Sequence, residues 1–409
     1  MWTLPPAHPK SPPAVRIGLL ERAWQGNPGD ARLAYRLGEA LVDQAEFAKA
    51  AEIFSKVLQL EPGFLEARYR MAQCLMMLRR FPAVLDALAA EWPSAAPAQA
   101  AEAHYLRGAA LDALGRVADA EAAYRAVLRA LPAHSPTLRK LSAMLRSDGR
   151  IGELAELCGG LLAAGVRHPR LLMEWGRALV LAGEVKLART VLLDCARLER
   201  VGLAPLAGFT SVAAFNAALA ADLLANPNSS EGHGEDPVYR GPRVHHLLKG
   251  RRPELIEALY AAVQREVDAY VAGLAPYDGG VDHWLDAKPA RASMTSWGLI
   301  LREDDHPDWH VHPQAWLSCV YYVSVPGVVT EAGDGPGCIE FGPPPEIAER
   351  LRGEIQPCRV APRPGDLLIS PGHYHHRTIP TGVGERRISV AMDVIPAAPT
   401  QARRVEPQR

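Results

Sequence analysis

The sequence predicts a two-domain α + β protein, an all-α helical repeat array followed by an all-β barrel or sandwich. Two observations predict that class. A small residue recurs at Gly38, Ala72, Gly108, Ser142 and Gly176, at spacings of 34, 36, 34 and 34 positions. Beyond Val281, short apolar runs alternate with Gly- and Pro-rich turns, the pattern of strands joined by tight connections. A third bears on domain number, because 409 residues are too many for one ordinary domain.

Taken in order, residues 1–30 are expected to form an N-terminal arm, proline-rich over 5–13, and a capping helix. Residues 31–200 carry the repeats. Three positions beyond each small residue lies a leucine (Leu41, Leu75, Leu111, Leu145, Leu179). Further on come Phe54, Leu88, Tyr124, Cys158 and Leu192. Small residues let two helices approach, and the larger side chains fill the space around them. This period and order resemble the tetratricopeptide repeat, whose helix-turn-helix units stack into a superhelix. The resemblance implies a concave groove that holds a peptide or protein. Residues 201–208 break the helical periodicity and are expected to be a linker. The second domain is expected over 209–398, with amphipathic helices at Phe209–Asn226 and Pro253–Ala272 and then strands, and 399–409 form a flexible tail.

Composition narrows the classes of function. A formal net charge of −1 gives no bulk attraction to nucleic acid or to an anionic membrane. Six cysteines without a C-x-x-C pair suit reduced structural thiols and a cytoplasmic location. The first residues lack the basic and apolar regions of a signal peptide. No apolar run reaches the ~18 residues that span a bilayer.

Histidines mark the chemistry. His310 and His312 open a strand that continues through Trp316-Leu317-Ser318-Cys319-Val320-Tyr321-Tyr322. Side chains at i and i+2 share a strand face, so the two imidazoles can converge, and imidazole suits iron, zinc, copper and nickel. A second cluster, His373, His375 and His376, follows a strand and turn, and a late strand is entered by Arg386-Arg387-Ile388-Ser389. His306-Pro307-Asp308 is a rival His-x-Asp in a polar turn upstream. Trp316 suits core packing better than a pocket wall, and Glu340 suits a surface ion pair.

His-Val-His-Pro-x-x-Trp-Leu-Ser, Pro-Gly-Asp-Leu, His-Arg-Thr-x-Pro and Arg-Ile-Ser-Val-Ala, in that order over about residues 208–397, resemble a bacterial group of 2-oxoglutarate- and Fe(II)-dependent oxygenases akin to prolyl hydroxylases. The resemblance implies a double-stranded β-helix, or jelly-roll, buttressed by helices. It places His310, His312 and His376 at three iron-ligand positions, with His312 where the group's wider superfamily has Asp or Glu. It also implies that Arg387, with Ser389, Tyr322 and Ser318, binds the distal carboxylate of 2-oxoglutarate. A guanidinium matches a carboxylate bidentately, and Arg387 and Ser389 share a strand face. The expected activity is hydroxylation, with a peptide or protein presented by the repeats as the foremost substrate; a natural-product peptide or a small molecule stays open. Two alternatives stand beside it: a cupin-like metalloenzyme with three histidines that does not use 2-oxoglutarate, and a repeat scaffold carrying an inactive oxygenase-like domain.

Overall fold

The computed structural model describes residues 2–3, 13–89, 97–206, 208–230, 242–245, 247–249, 251–276, 282–329, 335–351 and 353–397. The expected tail and all but the last residue of the proline-rich arm lie outside them. The chain divides into two compact units, 8–149 and 150–409, the second also taking residues 1–7.

The first unit is helical: α1 (Pro13–Gly26), α2 (Ala31–Val42), α3 (Phe47–Leu60), α4 (Leu65–Met77), α5 (Phe81–Ala87), α6 (Pro97–Ala113), α7 (Val117–Ala130) and α8 (Ser135–Ser147). Helix α2 starts at Asp30, whose carboxylate accepts the Leu33 N–H, and buries Ala31, Ala34, Leu37, Gly38 and Leu41 along one stripe. The small position is a steric requirement. A Cβ at Gly38 would fall 2.5 Å from the Phe54 ring, and one at Gly108 2.8 Å from Tyr124. Between paired helices the chain makes a left-handed turn at Ala45, Arg79, Gly115 and Gly149, again at the repeat spacing. Polar rungs join successive repeats, as Arg70 to Glu39 at 2.6 Å and Lys140 to Asp112 at 3.0 Å.

The second unit opens with α9 (Ile151–Ala163), α10 (Pro169–Ala182) and α11 (Val185–Leu192), then builds two sheets. The larger contains β1 (Trp2–Thr3), β2 (Glu199–Gly202), β3 (Ser229–Ser230), β4 (Arg243–Val244), β5 (Ala292–Leu301), β6 (Leu317–Ser324), β9 (Asp366–Pro371) and β11 (Arg387–Pro396). Its antiparallel order is β2-β9-β6-β11-β5-β4-β3, with β1 parallel to β5. The smaller sheet has the order β10-β7-β8, from β7 (Ile339–Phe341), β8 (Cys358–Val360) and β10 (His376–Thr378). The arrangement is that of a jelly-roll. Helices α12 (Val212–Leu224) and α13 (Pro253–Gly273) cover the larger sheet, held by Tyr321 Oη donating to Asn216 at 2.6 Å and Tyr260 Oη to Ser296 at 2.6 Å.

Three features differ from expectation. Val201 and Gly202, expected in a linker, belong to β2, which pairs with β9 over Glu199–Gly202. Its four residues are mostly exposed, so backbone pairing alone makes this edge strand and no apolar alternation announces it. The fifth repeat belongs with the β domain, because Leu179, Val180, Ala188 and Leu192 share one core with Ile339, Phe341, Cys358 and Tyr374. Finally, Cys195 and Cys358, expected as free thiols, form a disulfide with Cα atoms 5.9 Å apart. They lie 163 residues apart, so no spacing signal could pair them.

Candidate metal centre

The three histidines come together because the two sheets meet there. The His310 and His376 backbones exchange N–H···O bonds of 3.0 Å in both directions, and the His312 N–H donates to Gly372 O at 2.9 Å. Gly372 must be glycine, since any Cβ would strike the Ala315 carbonyl. The outcome is one cluster in which a nitrogen of His310, His312 and His376 lies within 4.8 Å of each of the others. Ring centroids are 4.2 Å apart for His310 and His376, and 5.2 Å for both pairs involving His312.

Each ring is oriented from behind. His310 Nδ1 meets Asp308 O at 2.6 Å, His376 Nδ1 meets Tyr374 O at 3.0 Å, and His312 Nδ1 meets the Asp393 carboxylate at 2.8 Å. The carbonyls only accept, so in His310 and His376 the proton sits on Nδ1 and Nε2 carries the ligating lone pair. Burial, then repulsion from neighbouring imidazoles, pushes His310 down to about 3 and His376 well below its ordinary value. Both are therefore neutral at pH 7, the form that binds metal. Trp297 stacks on His312 at 5.8 Å.

The pocket that holds the cluster also contains Arg387, Ser389, Tyr322 and Thr378. Arg387 is 2% exposed and its Nη2 donates to Tyr322 Oη at 3.3 Å. Its Nε and Nη1 have no hydrogen-bond partner among the described residues. A buried guanidinium with two idle donors calls for an anion. Ser389 pairs with Tyr322 across β11 and β6, which brings both to the same place. Ser318 is buried next to Asp393 in the register but does not line the pocket.

The remaining candidates lie elsewhere. His306 Nδ1 meets Asp304 O at 2.7 Å, and the Asp308 carboxylate accepts the Trp309 N–H at 2.7 Å. Neither belongs to the cluster. His375 meets Arg177 at 3.0 Å and His373 meets Val191 O at 2.8 Å. Trp316 is core, stacked on Trp284, each indole N–H donating to the other residue's carbonyl. Glu340 is buried rather than superficial and bridges Arg359 and Arg377, at 2.7 and 2.6 Å. Asp393 and Trp297 were not singled out from the sequence. Asp393 continues the odd-numbered face of Arg387 and Ser389, and that alternation is the signal for it.

Residues 295–393 match the family described as Putative 2OG-Fe(II) oxygenase, and residues 41–98 and 101–134 match tetratricopeptide repeats. The chain joins N-terminal tetratricopeptide repeats to a C-terminal domain of that oxygenase family. Among solved structures it is similar to MamA residues 41 to end from Desulfovibrio magneticus RS-1, with 23% identity, 37% of this chain and 84% of that one covered, and a TM-score of 0.34. It is also similar to PilW, a type IV pilus biogenesis factor, at 18% identity, covering 43% and 81%, with a TM-score of 0.34. Pseudomonas aeruginosa pilF matches at 14% identity, covering 43% and 86%, with a TM-score of 0.36. No curated protein matches. Among the described residues no helix is long and apolar enough to cross a membrane.

Proposed function

We propose that the chain is a 2-oxoglutarate- and Fe(II)-dependent dioxygenase that hydroxylates a peptide or protein recruited by its repeats. The observation that carries this reading is Arg387, a buried guanidinium with two unpartnered donors in the same pocket as three inward-facing imidazoles. The donor set fits a metal, since His310, His312 and His376 offer three nitrogens whose rings are held from behind. Asp393 returns a carboxylate to the site one hydrogen bond behind His312, where it fixes the orientation of that ring. When bound, iron with 2-oxoglutarate and dioxygen supplies the oxidising power that breaks a substrate C–H bond. Arg387 would hold the distal carboxylate, with Tyr322 and Ser389 adding hydroxyls. The free space among these side chains is about 30 Å³, less than a five-carbon diacid needs, so the lining must part to admit it.

Support for recruitment is coarser and comes from the repeats, whose usual role is binding proteins. Helices α4, α6 and α8 line a hollow of about 440 Å³ with Tyr105, Leu106 and the Lys140–Asp112 pair on its wall. The test is succinate release from 2-oxoglutarate with Fe(II), with and without candidate peptides, for wild type and Arg387→Ala. No succinate release from Fe(II)-loaded wild type would favour a three-histidine metalloenzyme without 2-oxoglutarate, and release unaltered in Arg387→Ala would exclude the carboxylate-binding role of that residue. The cytoplasmic location expected from the cysteines is tested by thiol titration of the isolated protein: a persistent Cys195–Cys358 bond would speak for an oxidising compartment.

A further inference from the structure

A second cavity, of about 260 Å³, lies within the 150–409 unit between α10–α11 and the turn that follows β9. It shares no lining residue with the metal pocket. Leu172, Leu187 and Val191 make an apolar wall on the helical side. Trp175, edge-on to His283 at 5.3 Å, and Tyr374 close it with rings. Tyr374 is fixed in place, because its hydroxyl accepts the Asp194 N–H at 3.0 Å.

Four polar residues, Thr190, Asp282, His283 and His373, interrupt this apolar lining, and the first two have hydrogen-bond partners. His373 is 3% exposed, and its Nε2 lies 2.8 Å from Val191 O. A carbonyl only accepts, so Nε2 carries the proton and Nδ1 is left as a lone-pair acceptor. Among the described residues Nδ1 has no partner, and neither does the buried Nδ1 of His283 in the same wall. Burial holds His373 down to about 4, which keeps the ring neutral and Nδ1 an acceptor at pH 7. A buried acceptor without a donor is costly, and an occupant that brings an N–H or O–H removes that cost.

Size limits the occupant. The cavity exceeds the ~150 Å³ that holds benzene and falls short of the ~300–1,000 Å³ of drug-sized sites. We propose that this cavity is an accessory binding site for an aromatic group of one or two rings bearing a hydrogen-bond donor, of the indole or phenol class. The donor meets His373 Nδ1 and the ring lies against Leu172, Val191 and Trp175. The site adjoins the metal centre through one residue: the Tyr374 carbonyl orients His376 Nδ1 at 3.0 Å. The proposal is independent of the activity proposed above, because binding is read without metal or turnover.

The test is calorimetric titration of the full chain with indole and with indene, which has the same fused-ring shape and no N–H. Indole is expected to bind saturably. The indole-over-indene preference should fall roughly 5- to 150-fold in His373→Phe, the span expected for leaving a buried acceptor unmet. Leu187→Trp, at a half-exposed position on the cavity wall, should abolish binding of both. It serves also where His373→Phe does not fold. N-acetyl-tryptophanamide distinguishes the source: if it binds as tightly as indole, the occupant is a side chain of a peptide, and if only indole binds, it is a free small molecule. No saturable binding of indole to wild type, or indole binding unaltered by Leu187→Trp, would overturn the proposal.

Discussion

Replacing Arg387 by methionine separates a co-substrate site from a structural cation. The side chain is 2% exposed, contacts Tyr322 through Nη2 and leaves Nε and Nη1 without partners. A carboxylate seated on those two donors gains charge-assisted bonds worth about 1.5–3 kcal/mol each. Removing the cation also leaves that carboxylate buried and unpaired, so the combined cost is about 3–5 kcal/mol. That corresponds to a 2-oxoglutarate affinity roughly 100- to 4,000-fold weaker. The protein without ligand should move the other way, because an unpaired buried charge is replaced by an apolar chain of similar length. Its unfolding free energy should rise by about 1 kcal/mol or more. Anaerobic calorimetry with Fe(II)-loaded protein measures the first effect, and urea denaturation of the metal-free protein measures the second. Unchanged 2-oxoglutarate affinity, or a large loss of stability without ligand, would refute the carboxylate-site reasoning and leave Arg387 as a structural residue.

Asp393→Asn keeps the shape behind His312 but removes the charge, and metal titration should show affinity roughly 10- to 100-fold weaker; equal affinity would exclude the orienting role. A chain starting at Arg150 should stay folded, whereas one starting at Gly202 should aggregate, because it loses most of β2 and the α10–α11 face that shares a core with the smaller sheet; a soluble, cooperatively unfolding Gly202 product would show that core to be dispensable. Metal-free stability should fall as pH drops from 6.5 toward 4: with His373 lowered to about 4, the unfolded chain binds a proton that the folded one does not, costing about 2 kcal/mol by pH 5. Constant urea midpoints over pH 7 to 5 would contradict this. Ala45→Gly places glycine at the left-handed turn that Gly115 and Gly149 occupy in later repeats and should stabilise by about 0.5–1 kcal/mol, since relief of the backbone strain exceeds the added chain entropy; a lower thermal midpoint would show that Ala45 is unstrained.

The sequence by itself determined whatever depends on local periodicity. The 34-residue spacing placed Gly38, Gly108 and Gly176, and the structure shows why each must be small: a Cβ at these positions would meet Phe54, Tyr124 and Leu192. Strand alternation put Arg387 and Ser389 on one face, and the β5, β6, β9 and β11 strands lie within a few residues of the apolar runs that predict them. His310 and His312, expected to open β6, instead precede it across a turn, and backbone bonds to His376 and Gly372 bring them together. Tertiary structure decided what rests on pairing between distant segments. The strand β2 exists because β9 offers it a free edge, and the last repeat joins the β domain through a core that no periodicity encodes. Asp393 reaches His312 across 81 positions, and Cys195 reaches Cys358 across 163. The choice of His376 over His375 also belongs here: adjacent residues on an extended segment point to opposite faces, and only the packed sheets fix which face meets His310 and His312 and which meets Arg177.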